Sequence, residues 1–166
     1  MNTLLTGIQT ILTSEFGSTI KKYYIGKPKL DRIVVASCPM IAIYPISMET
    51  TPEGTGTVRD QNEAQIGIDL IDSASTYYGD SGSETANASL TQFLSWMEKR
   101  DSNGFYATPS IMYALRTHSN FDLGGYGLFT DNFKIDYNDI AEDEDRKVVV
   151  ATLTFRAVWR STRNTN

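Results

Sequence analysis

The stretch IAEDEDRKVVVATLTFRAVWRSTR, residues 140–163, decides how the rest of the chain is read. It opens on the acidic run Glu142, Asp143, Glu144 and Asp145 and continues as an apolar ladder to Trp159, which stands between Arg156 and Arg160. Alternation puts Val149, Ala151, Leu153, Phe155, Ala157 and Trp159 on one face. Val148, Val150, Thr152, Thr154, Arg156 and Arg160 take the other. A period of two held this long predicts a closing β-strand of about 13 residues, spanning roughly 43 Å at 3.3 Å per residue. Strands are commonly about 5–6 residues long. This one either bends with its own sheet or reaches past the domain to meet a neighbour.

Working outward, FTDNFKIDY alternates Phe133, Ile135 and Tyr137 against Asn132, Lys134 and Asp136. The connection NDIAEDED makes an antiparallel hairpin with the closing strand the natural pairing. AQIGIDLID alternates Ile66, Ile68 and Leu70 against Gln65, Gly67 and Asp69. In MIAIYPI both alternating sets are apolar, which predicts a strand covered on two faces, with Pro39 and Pro45 marking its ends or an exposed edge. YYIG is a further short strand. The segments SMETTPEGTGTVRDQNE and SASTYYGDSGSE are polar and glycine-rich and read as loops.

Helices are predicted at three places. Leu4, Leu5, Ile8, Ile11, Leu12 and Phe16 follow the spacing of one helical face over residues 2–17, with Gly17 where a helix commonly ends. Leu90, Phe93, Leu94 and Met97 line a second helix from about Thr85 to Arg100. Ile111, Met112 and Leu115 line a shorter one, for which Thr108 is the expected cap and Pro109 the first-turn residue. The order is helix, three strands, one or two helices, two strands. That predicts an α+β fold, a largely antiparallel or mixed sheet flanked by helices and ending in a long β-hairpin. One domain is expected over residues 1–166, with a flexible end at about 161–166.

Charge and chemistry narrow the function. A net charge of −5 is the wrong sign for a protein that holds nucleic acid by replacing phosphate counterions, although it suits one that lets DNA pass without sticking. One cysteine, Cys38, allows no internal disulfide and fits a reducing compartment. No window approaches the roughly 20 apolar residues of a membrane span, and the N-terminal apolar positions lack the basic region of a signal peptide. A soluble protein kept inside a cell is expected.

DYNDIAEDED begins like a calcium loop at Asp136 and Asn138. It then fails at Ile140, at Ala141 where glycine is required, and at Lys147 in the twelfth place. Cys38 and His118 are too few for a Cys/His zinc site and form an improbable catalytic pair. GGYG at residues 124–127 has no following Lys-Ser/Thr and reads as a turn. Asp69 and Asp72 point to opposite faces. No acid, base and oxyanion donor come together, so neither an enzyme nor a cofactor is expected.

The amphipathic first helix, the proline-flanked CPMIAIYP, the polar loop leading to RDQNEAQIGIDLID, the mid-chain helix and the final VVVATLTFRAVWR together resemble a phage tail terminator, also called a tail-completion or neck protein. The resemblance covers roughly residues 1–160 and rests on element order and strand texture. It implies a structural virion protein, made in the host cytoplasm and built as a homo-oligomeric ring, usually of six. Such a ring caps the tail tube and joins it to the neck and head, leaving a channel for DNA. The implied partners are further copies of the chain, the tail tube protein and neck connector proteins, with transient, non-specific DNA passage and no membrane.

On that reading Arg156, Trp159 and Arg160 are candidates for the subunit interface, since aromatic residues and Arg are enriched there. Asp139, Glu142, Asp143, Glu144 and Asp145 form a candidate acidic tip facing the channel or tube. The alternatives are a stopper-type connector, a small Mg²⁺-dependent enzyme using carboxylates in 136–145, and a cellular binding module.

Overall fold

A computed structural model describes residues 2–29, 32–54, 59–73, 84–118, 132–137 and 148–162. Helix α1 (Asn2–Phe16) leads through a 3-10 turn to β1 (Lys22–Ile25), β2 (Met40–Pro52) and β3 (Arg59–Ser73). Helices α2 (Glu84–Met97) and α3 (Ile111–Thr117) precede β4 (Lys134–Tyr137) and β5 (Val148–Thr162). The strands form one sheet in the order β1-β2-β3-β5-β4, parallel between β1 and β2 and antiparallel elsewhere. The expected α+β class with a C-terminal hairpin is what the chain adopts.

Helix α1 forms because its apolar spacing leaves one stripe to bury. Leu4, Leu5, Ile8, Ile11, Leu12 and Phe16 are all buried, as the periodicity predicts. Gly17 then takes φ +52°, a left-handed conformation that a glycine adopts without a Cβ penalty, and the helix stops. The stripe packs on the sheet face made by Ile41, Ile43, Ile66, Ile68, Leu70, Leu153 and Phe155. Phe93 and Met97 of α2 and Ile111, Met112 and Leu115 of α3 close the same core. Leu12 is fully buried within it. Leu12→Ala is expected to cost about 2–5 kcal/mol, read as a lower urea midpoint with an unchanged slope.

The opposite sheet face carries a smaller cluster of Cys38, Met40, Ala42, Ile71, Val148 and Val150, against which Tyr24 and Ile33 pack. Met40–Tyr44 is therefore buried on both faces, as its doubly apolar pattern requires.

Two expectations need correction. Ser110, not Thr108, caps α3: its hydroxyl accepts from the Tyr113 amide at 3.1 Å and donates to the Ala107 carbonyl at 2.9 Å. That satisfies an amide which the first helical turn leaves without a partner. The helix begins at Ile111, so Pro109 stands before the cap. Second, most of SMETTPEGTGTVRDQNE is not loop. β2 runs to Pro52 and β3 starts at Arg59, paired without interruption from Ser47↔Gln65 to Pro52↔Asp60. Polar side chains are compatible with a ribbon exposed to water, where pairing comes from the backbone and not from an apolar face.

Candidate functional site

The three central strands outgrow their neighbours. β1 is in register only with Met40–Ile43 of β2, and β4 only with Ala151–Thr154 of β5. β2, β3 and β5 continue as a three-stranded ribbon through Pro45–Pro52, Arg59–Ile66 and Phe155–Thr162. Among the described residues no strand lies beyond β2 or β5 along this half of the sheet. The closing strand is 15 residues long, about 50 Å at 3.3 Å per residue. It runs through Thr162, so Ser161 and Thr162 of the expected flexible end are still paired with β3.

Register assigns the ribbon two unlike faces. On the helix side lie Thr50, Asn62 and Trp159 in one row, and Met48, Ala64 and Ala157 in the next. Trp159 is 5% exposed and belongs to the main core. Buried Asn62 ties the row together, accepting from the Thr50 hydroxyl and donating to Ser161 Oγ, both at 2.8 Å. On the other face lie Glu49, Thr51, Gln61, Glu63, Gln65, Arg156, Val158 and Arg160. Arg156 meets Glu63 at 3.3 Å, and Arg160 pairs with Glu53. These pairs are partly exposed, Glu53 the least so, and pairs still open to water stabilise a monomer little.

The three candidate interface residues are thus not one patch. Arg156 and Arg160 share the polar face, whereas Trp159 anchors the strand from inside the core. The candidate acidic tip, Asp139, Glu142, Asp143, Glu144 and Asp145, lies outside the described residues.

At the root of the ribbon sits a buried polar cluster. Asp69 Oδ1 accepts from the Tyr44 phenol and the Thr152 hydroxyl, each at 2.8 Å. The Tyr44 ring crosses over Gly67, where a Cβ would come within 2.6 Å of it. Glycine is present because the neighbouring side chain occupies that space. The Lys27 ammonium lies 5.1 Å from the ring centroid. The Asp69 oxygen is satisfied by two donors, so this cluster is a packing device.

Burial pushes the Tyr44 phenol well up, and its bond to Asp69 adds to the shift. Burial also pushes Tyr23, whose hydroxyl donates to the Leu12 carbonyl, up to about 12. The fold favours both neutral phenols. Their contribution is complete below pH 10, where the unfolded phenols begin to ionise, and is lost as pH rises through the folded values. Urea midpoints are therefore expected to fall between pH 10 and about 12.

Other chemistry is sparse. A cleft of about 490 Å³ beside Met48, Glu49, Glu63, Gln65 and Arg156 is open to solvent and mixed in polarity. No three His, Cys, Asp or Glu side chains come together to hold a metal among the described residues. Cys38 is buried in the smaller cluster, where desolvation first and the Asp72 charge second raise its thiol pKa, against a lowering by Lys21. Iodoacetamide is expected to label Cys38 far more slowly in the folded protein than in urea at the same pH. No described helix is long and apolar enough to cross a membrane.

No protein-family model matches the chain, and neither does any curated protein. Among solved structures, it is similar to a chain of one titled "Virion of native gene transfer agent (GTA) particle". The identity is 15%, with 95% of this chain and 98% of that chain covered and a TM-score of 0.42.

Proposed function

We propose that this chain is a structural protein of a phage-like virion that assembles as a ring, of the tail terminator kind. The observation that carries the reading is the ribbon. Strands β2, β3 and β5 extend well past the partners β1 and β4, and β2 is exposed throughout Pro45–Pro52 while Ala157 and Trp159 of β5 stay packed in the core. A subunit repeating one head-to-tail contact needs two different, complementary surfaces, so that the contact closes on itself. The two flanks of the ribbon are such a pair.

In this reading the ring, of about six copies as the resemblance implies, caps the tail tube and joins it to neck and head proteins.

 The acidic tip at Asp139, Glu142, Asp143, Glu144 and Asp145 faces the channel and repels passing DNA. Neutralising all five is expected to slow DNA ejection, and an unchanged rate contradicts that role.

Sedimentation velocity over a concentration series tests the ring itself. Growth from 18.5 kDa to one discrete closed species of about six copies supports it, and an open-ended size distribution counts against it. A melting curve with and without Mg²⁺ separates the enzyme alternative, which requires the metal to raise the midpoint.

A further inference from the structure

The geometry points to a specific subunit contact: the outer edge of β5 in one copy pairs, in parallel, with the outer edge of β2 in the next. This rests on the ring reading and adds which edges meet and in what sense.

The sense follows from topology. β2 and β5 are each antiparallel to β3, so they run parallel to one another. A rotation about an axis running along the ribbon preserves strand direction, and β5 of one copy then meets β2 of the next in parallel. Parallel pairing makes evenly spaced, slanted backbone bonds and needs no particular side chains.

The β2 edge is built for a limited contact. Pro45 and Pro52, which have no amide hydrogen to donate, fence its two ends. A register shift between Pro45 and Ser47 marks where the ribbon departs from the core. Between the prolines the strand is exposed throughout, with Ile46 at 47% and Met48 at 52%. The prolines and the bulge blunt the two ends of this edge, and residues 46–51 between them keep their amides, so an open stretch is left that can template another chain.

Charge selects the partner as a second copy. On the polar face, Glu49 lies along the β2 flank, level with Val158. Arg156 and Arg160 lie along the β5 flank, one residue pair to either side of that level. Joining the two flanks without stagger places Glu49 of one copy between the two guanidinium groups of the next, which already face Glu63 and Glu53 of their own chain and take Glu49 as a further carboxylate. Joining β2 to β2 would instead oppose carboxylates, and β5 to β5 would oppose guanidiniums, both unfavourable across strands.

Backbone amide exchange, compared between the assembled protein and its dissociated subunits, tests the contact whatever the stagger. Residues 46–51 and 156–162 are both expected to slow by roughly tenfold or more on assembly. A Glu49→Cys, Val158→Cys pair in a Cys38→Ser background is expected to give cross-linked ladders ending at the ring size. Rings whose formation slows neither segment, or only one, overturn the edge contact and leave the ring reading standing. Subunits that form no ring at any concentration, alone or with tail tubes, remove the ring reading and this contact with it.

Discussion

Gly67→Ala is expected to lower the melting midpoint by about 6–12 °C, for a loss of about 3 kcal/mol in a chain of this length. The added methyl would sit 2.6 Å from the Tyr44 ring, which is buried and hydrogen-bonded to Asp69. The ring can move only by giving up that bond. Asp69, itself 3% exposed, would then keep the Thr152 hydroxyl alone. A buried polar group left short of a partner costs about 1–3 kcal/mol, in addition to the steric cost. Tyr44→Phe removes the bond without the clash and should cost less. In a Tyr44→Ala background Gly67→Ala should cost almost nothing further, because the ring is gone. Differential scanning calorimetry of this cycle measures the coupling. Equal costs in both backgrounds would mean that the close approach is not what keeps glycine at this position.

The other large effect concerns assembly. Arg156→Glu with Arg160→Glu is expected to abolish ring formation while shifting the subunit's melting midpoint only slightly. The midpoint moves little because the Glu63 and Glu53 pairs remain partly open to water, where such pairs typically contribute about 0–1 kcal/mol each. Assembly is lost because both cations on the β5 flank become anions opposite Glu49. Adding Glu49→Arg to the double variant should restore part of the assembly. Sedimentation velocity with a parallel melting curve reads both quantities. Rings that persist in the double variant would show that these side chains do not set the contact.

Much of this architecture was legible because an apolar stripe must be buried somewhere. The six core residues of α1 and the alternating Ile66, Ile68 and Leu70 of β3 follow directly from periodicity. The doubly apolar Met40–Tyr44 is buried on both faces for the same reason. The far half of β2 was not legible. Its Ser47, Glu49, Thr50 and Thr51 carry no apolar signal, and its pairing with β3 is made by backbone groups that every residue shares.

The site divides similarly. Alternation put Trp159 on the face of Phe155, which is where it lies, yet grouping it with Arg156 and Arg160 ignored that those two face the other way. The Tyr44–Asp69–Thr152 cluster joins three strands and has no local signature. One signal did point to it: a glycine inside a strand marks close approach by another group, and Gly67 stands on the face that Asp69 shares. The α3 cap was missed by two positions because Thr108 and Ser110 offer the same hydroxyl chemistry, and only the backbone path distinguishes them.

A ribbon that joins copies of this chain into a ring gives particles large enough to be seen individually. Negative-stain electron microscopy of the purified protein, alone and mixed with tail tubes, tests this joining most directly. Closed rings of about six copies with a central opening are expected, free in solution or seated on tube ends. Isolated subunits in both samples, with bare tube ends, would contradict it.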